Sequence, residues 1–271
     1  MSKRVLITGA ASGIGEATAE ALRRRGCTVV GLDLNAGGGD VIACDVRDQA
    51  SVDSAVAEAI DRLGGLDVLI NSAGIGDPQS AADRPGEDAL RVIDVNLLGT
   101  WRVTAACIET LRESRGRVIN IASGLAHLTI PLATAYTISK RGVVAYSDSL
   151  RLEMAGEVAV TTIYPGYIRT PIHNASAEKG IALEGAVPAE PLESAAATLV
   201  RAALDPEPHR DLATSRQGTV GYALLKLLPR KALDRLTLKR LRESAERGQF
   251  DESDLAAPLR NRLRAGKTAK I

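Results

Sequence analysis

Aromatic side chains are scarce in this chain of 271 residues, which has one Trp, one Phe and five Tyr, 3% of the sequence. Its core must therefore be assembled from Ala, Val, Ile and Leu, and a 45% hydrophobic content supplies them. Cysteine is equally sparse. Cys27, Cys44 and Cys107 are too few and too scattered for a disulfide framework or a metal cluster, and they read as reduced thiols of a cytoplasmic protein. His127, His173 and His209 share no ligand spacing, so no metal is expected. His173 and His209 read as surface residues, whereas His127 is a candidate for the wall of a substrate pocket. An excess of one charge is also missing. A formal net charge of +1 gives no reason to expect nucleic acid or an acidic partner. No apolar run approaches the roughly 18 residues that span a bilayer. The opening Met1 to Ile7 has no signal-peptide layout and runs straight into an apolar stretch.

Short apolar runs alternate with longer helical patterns. Val5–Ile7, Val29–Leu32, Val41–Ala43, Val68–Ile70, Val118–Ile121 and Val158–Ile163 read as strands. They are continuous rather than alternating, as strands covered on both faces are. Helical patterns lie near 14–25, 49–63, 87–113 and 135–155. This alternation predicts an α/β fold, a single Rossmann-like doubly wound parallel sheet flanked by helices. Ligands of such sheets bind beyond the carboxyl ends of the strands. Residues 171–191 carry Pro171, Gly180, Gly185, Pro188 and Pro191 without a clear period, and read as a mobile substrate lid. A helix at 192–204 and a short strand at 210–214 follow. The expected organisation is a catalytic domain over 1–218, a basic helical extension over 219–250 and a frayed polar tail over 251–271. The extension carries Leu224, Leu225, Leu227, Leu228, Leu236 and Leu238 between its cations. It is expected to pack on the domain or on a partner subunit, and membrane association is the less favoured alternative.

Chemistry concentrates at two places. After the first strand stand Gly9, Ser12, Gly13, Ile14 and Gly15, followed at once by a helix. Glycines at a strand–helix turn let backbone approach a pyrophosphate, and the helix N-terminus supplies N–H donors. The second strand ends at Asp33, 20 residues beyond Gly13. A carboxylate there accepts hydrogen bonds from an adenosine ribose and repels a 2′-phosphate, which favours NAD over NADP. The second place is Ser123, Tyr136 and Lys140. Tyr136 and Lys140 sit four apart, on one face of a helix, and Ser123 closes an apolar run thirteen residues before Tyr136. The ammonium is expected to stabilise the ionised phenol and lower its pKa from about 10 toward neutrality.

Together these residues resemble the classical short-chain dehydrogenase/reductases. The matching motifs are Thr8-Gly9-x-x-x-Gly13-Ile14-Gly15, Asp45-Val46, Asn71-Ser72-Ala73-Gly74, Asn96, Ser123, Tyr136-x-x-x-Lys140 and Pro165-Gly166, in family order over roughly 3–205. The resemblance implies a general acid/base at Tyr136, with Lys140 lowering its pKa and holding the nicotinamide ribose. It implies that Ser123 bonds the reacting oxygen and that Asn96 holds a water linking Lys140 to solvent. Asp45 would meet the adenine amino group, with Val46 beside it, while the backbone of Asn71, Ala73 and Gly74 lines the adenosine side. Pro165 and Gly166 would pass under the nicotinamide, with Ile168 and Thr170 near its carboxamide. Ser123, Leu125, His127, Tyr136 and Tyr167 are the expected substrate-lining residues.

The sequence departs from the family pattern in three places. Ser72 replaces a more usual Asn. The link from Asp33 to Asp45, with Gly37-Gly38-Gly39, leaves little room for the usual intervening helix. The glycine-rich C-terminal closing motif is replaced by the basic helical segment. The reaction implied is interconversion of a secondary alcohol and a ketone with NAD, on a neutral lipophilic, steroid-like, alicyclic or aryl substrate, by a homodimer or homotetramer. Trp101 and its neighbours read as core or subunit interface. The alternatives are an NADP-dependent carbonyl reductase and a non-catalytic nucleotide-sensing regulator.

Overall fold

In the computed structural model, which describes residues 2–36, 38–181 and 189–266, seven parallel strands form one sheet. They are β1 (Arg4–Thr8), β2 (Thr28–Asp33), β3 (Val41–Ala43), β4 (Val68–Asn71), β5 (Arg117–Ile121), β6 (Ala159–Tyr164) and β7 (Asp211–Ala213), in the order β3-β2-β1-β4-β5-β6-β7. The order reverses between β1 and β4, which opens a crevice at their carboxyl ends.

The continuous apolar runs are explained by the two-residue period of a strand. Val5 and Ile7 join one core with Val68, Ile70, Ile119, Ile121 and Ile163, covered by α1 (Gly13–Arg24) and α7 (Leu192–Leu204). Leu6, Leu32, Leu69, Val118 and Val160 point the other way, beneath α2 (Gln49–Leu63) and α4 (Thr100–Glu113). The largest fully buried side chains are all Leu or Ile, as the shortage of aromatics requires. The link between β2 and β3 contains no helix among the described residues, as its length suggests. Cys27, Cys44 and Cys107 are buried free thiols.

Four expectations are corrected. First, the helix expected at 87–113 is three pieces: α3 (Glu87–Ile93), a π-helical turn at Asp94–Gly99, and α4. The wider turn shifts the register within the run. Second, Pro229 splits the C-terminal helix into α8 (Arg216–Leu227) and α9 (Arg230–Glu246), because proline removes a donor and clashes with the preceding turn. Third, the tail is not wholly frayed. Helix α10 (Ala257–Arg264) buries Leu263 in a satellite core with Phe250, Ala256, Leu132 and Ile181. Arg264 fastens it by donating to the Ala245 carbonyl at 2.7 Å. Fourth, the start of the expected lid is ordered, with a 3-10 turn at Pro171–His173 and α6 (Asn174–Glu178). Lys179, just beyond, pairs with Asp77 and with Asp88. Residues 182–188 of the expected lid lie outside the described residues. No described helix is long and apolar enough to cross a membrane.

Candidate functional site

The glycine turn is shaped by close backbone approach. Gly9 and Gly13 hold φ of +67° and +57°, conformations that favour glycine. A Cβ at Gly9 would lie 2.9 Å from the Ala73 backbone, and one at Gly15 would lie 2.0 Å from the Gly9 carbonyl oxygen. The turn from β1 therefore packs against the turn from β4, at the reversal point of the sheet. The Thr8 hydroxyl ties them together, accepting from the Ser72 and Ala73 amides at 3.0 Å each. Ser12 precedes α1 in extended backbone and makes no side-chain cap. That leaves the first amides of α1 available to an anion.

Asp33 ends β2 facing this turn. One carboxylate oxygen accepts from the Ala11 amide at 3.0 Å and the other from the Asn35 amide at 2.9 Å. Opposite, Thr170 Cβ and Cγ2 lie 3.3 Å from where a Gly13 Cβ would stand, so the strand-to-lid segment closes over the turn. These features fit a dinucleotide: glycine backbone and open N–H groups for the pyrophosphate, and a carboxylate for the ribose. Asp45 is differently placed. Its carboxylate is gripped by Arg47, at 2.9 Å from Nε and 2.6 Å from the terminal nitrogen, and that hydrogen bond chiefly holds its pKa down. Val46 is buried against Gly99.

The second half of the site forms at the end of β5. Ser123 leads into a 3-10 turn at Gly124–Ala126, and its Oγ accepts from the Leu125 amide at 3.2 Å. Helix α5 (Thr134–Glu153) brings Tyr136 and Lys140 onto this edge. Lys140 is 4% exposed; its Nζ donates to the Ile121 carbonyl at 2.9 Å and stands 5.8 Å from the Tyr136 ring centroid. Asn96 sits in the π-helical turn, fully buried. Its amide bonds the Ile75 backbone in both directions, at 2.8 and 3.0 Å, and reaches Ser139 at 3.1 Å. Gly74 leaves room beside it, since a Cβ there would lie 3.3 Å from Asn96 Oδ1 and 3.5 Å from Lys140 Nζ. The Asn71 side chain donates to Thr104 and Asn120, which leaves only its backbone to face the groove.

The electrostatics reverse one expectation. The Tyr136 pKa is raised, not lowered: burial dominates, and a hydrogen bond with Ser123 works against it. Burial also brings Lys140 down to about 8. At neutral pH the lysine still carries its charge for most of the time, and it loses that charge as the pH rises past about 8.

Pro165, Gly166 and Ile168 follow β6. The Pro165 carbonyl accepts from the Gly124 amide at 2.8 Å, joining this turn to the Ser123 loop. Sequence reasoning missed what holds Gly166. Glu190 accepts from its amide at 3.3 Å, from the Thr214 hydroxyl, and from the Ser215 hydroxyl at 2.5 Å. Glu190 lies in an aperiodic, breaker-rich stretch that carries no local signal. Tyr222 was missed as well. From α8 it crosses to Gly124, where an added Cβ would meet its hydroxyl at 2.1 Å. His127 stacks beside it, 5.1 Å from the Tyr222 ring and 4.6 Å from Tyr164. Tyr167 stacks on His173 at 4.9 Å. His173, expected at the surface, is half-buried: burial lowers its pKa, and its Nε2 lies 3.1 Å from the Ile168 carbonyl. His209 is partly exposed and pairs with Asp205 at 2.6 Å. Among the described residues no group of three or more His, Cys, Asp or Glu is placed to hold a metal.

Comparison with known proteins agrees with this architecture. Residues 3–180 match the family model described as short chain dehydrogenase. Oxidoreductase UcpA of Salmonella typhimurium is 37% identical over 186 residues, covering 63% of this chain and 71% of the relative. D-threitol dehydrogenase of Mycolicibacterium smegmatis is 35% identical over 219 residues, covering 73% and 84%. An 11-beta-hydroxysteroid dehydrogenase-like protein of Arabidopsis thaliana is 33% identical over 184 residues, covering 62% and 60%. Among solved structures, aldohexose dehydrogenase of Thermoplasma acidophilum superimposes with a TM-score of 0.71 at 27% identity, covering 78% of this chain and 92% of that one. A 3-ketoacyl-(acyl-carrier-protein) reductase of Brucella melitensis, complexed with NADH, gives 0.69 at 27%, covering 78% and 96%. With a parallel sheet reversing at a glycine turn, and a Ser, Tyr and Lys at the end of β5, this chain belongs to the short-chain dehydrogenase/reductase family.

Proposed function

We propose that this oxidoreductase interconverts a secondary alcohol and a ketone with NAD(H). The observation that carries the proposal is the convergence of Ser123, Tyr136 and Lys140 on the same sheet edge as the glycine turn and Asp33. The dinucleotide, when bound, supplies or accepts the hydride. The protein's part is to orient it and to move one proton. Tyr136 exchanges that proton with the substrate oxygen, Ser123 holds the oxygen, and Lys140 holds the nicotinamide ribose. Gly9, Ser12, Gly13, Ile14 and Gly15 hold the pyrophosphate. Asp33 holds the adenosine ribose and sets the preference for NAD over NADP. Pro165, Gly166, Ile168 and Thr170 hold the nicotinamide end.

A neutral lipophilic substrate suits the loop after Ser123, which carries Leu125 and His127 and has the ring of Tyr222 from α8 against it. Trp101 on α4, 56% open, is exposed together with Leu98 of the preceding turn and with Ile138 and Leu152 on α5, which supports a homo-oligomer, and three free thiols suit the cytoplasm. The test is a screen of secondary alcohols with NAD at alkaline pH, on the wild type and Tyr136→Phe. Turnover should fall by about 10²–10⁴-fold in the variant while NADH still binds. Turnover retained in Tyr136→Phe sinks the mechanism. NADH binding with no oxidation anywhere in the panel favours the non-catalytic regulator. Tighter NADPH than NADH binding refutes the role given to Asp33.

A further inference from the structure

We infer that α8 and α9 form a docking surface for an anionic lipid bilayer. Both helices lie outside the family-matched segment. Eleven large apolar side chains are exposed among the described residues, and five of them fall within 220–236. Val220, Leu224 and Leu227 are 61%, 57% and 80% exposed, followed by Leu228 at 44% and Leu236 at 41%. The first three recur at i, i+4 and i+7, so they form one outward stripe along α8. An apolar stripe of this kind, left in water, marks an interaction surface.

Charge identifies the occupant. Residues 216–246, which span both helices, hold eight Arg and Lys against three carboxylates, Asp234, Glu243 and Glu246. The rest of the chain holds 26 cations and 30 carboxylates, so a nearly neutral protein is polarised toward these helices. Arg230, Lys231, Arg235, Lys239 and Arg240 are exposed. A second copy docked face to face would bring like charges together. Nucleic acid would meet the cations but leave the leucines in water. A bilayer with anionic headgroups satisfies both, burying the leucines below the headgroups while the cations stay among them.

The inner side of α8 adds a functional reason. Tyr222 faces inward and lies against Gly124, next to Ser123, so the bilayer-facing helix is also the outer wall of the loop that carries a candidate site residue. A lipophilic alcohol would then pass from bilayer to site without crossing bulk water. The docking surface itself does not depend on the proposed reaction.

The experiment sediments the full chain with vesicles at low salt, either of equal parts phosphatidylcholine and phosphatidylglycerol or of phosphatidylcholine alone. Binding is expected to the anionic vesicles only and should fall as salt rises. Leu224→Ser with Leu227→Ser should weaken it by about tenfold or more, with NADH binding unchanged as the control for folding. Lys231→Glu with Arg235→Glu should do the same. Tryptophan placed by Leu227→Trp should shift its emission to the blue on binding. Equal binding to neutral vesicles, or a leucine variant that binds like the wild type, overturns the proposal. So does a dimer that dissociates in the leucine variant while no vesicle binds, because the face is then covered by a second copy.

Discussion

The two halves of the site are made of different material. Between β1 and β4 the groove is backbone: left-handed glycines at 9 and 13, the uncapped start of α1, and a turn packed so closely that Gly15 has no room for a Cβ. At the end of β5 it is side chains, a half-buried phenol and a buried ammonium whose pKa values are shifted chiefly by loss of water. Backbone donors are fixed once the chain folds and do not titrate. Buried ionisable side chains cost stability and respond to pH. The first half is therefore broken by sterics and the second by protonation.

The sharpest break in the backbone half is Gly15→Ala. The new methyl would stand 2.0 Å from the Gly9 carbonyl oxygen, which no rotamer can relieve, so the turn must move. NADH affinity should fall by about a hundredfold or more, since the phosphate site is made of those amides. Fluorescence titration of NADH measures it, and near-wild-type affinity would show that the turn is not the phosphate site.

In the side-chain half the decisive variant is Lys140→Met. Burial lowers the native ammonium from 10.5 to about 8, so between those values the unfolded chain keeps a proton that the native protein has released. Native stability from this group thus rises with pH across that window, and the penalty is complete below about 8. Methionine removes it, at the loss of a hydrogen bond to Ile121. The cofactor-free variant should be roughly 1–3 kcal/mol more stable at pH 7, the gain shrinking toward pH 10. Urea denaturation across that range reads it directly. Parallel curves for the two proteins would place the Lys140 pKa at its ordinary value.

The same division explains what the sequence discloses. Gly9, Gly13 and Gly15 work through backbone conformation, and glycine spacing is a local mark of that, so the cofactor turn is legible. The strand pattern is legible for the same reason, each run being short and bounded. The direction of the Tyr136 pKa is not. It depends on how completely α5, the Ser123 loop and the segment after β6 exclude water, which is a property of packing between distant segments. Glu190 reaches the site through its backbone bond to the Tyr167 carbonyl and its bonds to Thr214 and Ser215, and Tyr222 reaches it because α8 folds back. Pro229 is a local mark of a helix boundary, because proline cannot continue a helix, so the break between α8 and α9 is legible. α10 is short and polar, and only contact with Leu132 and Ile181 turns it from tail into structure.

One side chain in the backbone half tests whether that half reads its ligand or merely holds it. Asp33 keeps acceptor capacity beyond the Ala11 and Asn35 amides. Asp33→Ser keeps a short polar group but removes the charge. NADH binding should weaken about tenfold while NADPH gains, as repulsion of a 2′-phosphate disappears. An unchanged ratio of the two affinities would assign Asp33 to the turn alone.

The smallest effect is expected where the two halves are clasped together. Ile172, in the segment leading to α6, lies over Gly76, where an added Cβ would meet its carbonyl at 2.8 Å, and Lys179 fastens the far end to Asp77 and Asp88. Asp77 is nearly buried and keeps Arg91 as a second partner at 3.3 Å. Lys179→Ala therefore loosens the strap without stranding a charge. Because Lys179 is 40% exposed, water and salt screen the pair, and its contribution is modest. NADH should leave about threefold faster in stopped flow, and the difference from wild type should vanish at high salt. A faster release that persists at high salt would mean that the lysine stem packs the strap in place. An unchanged rate would mean that the strap is held by its close packing on Gly13 and Gly76.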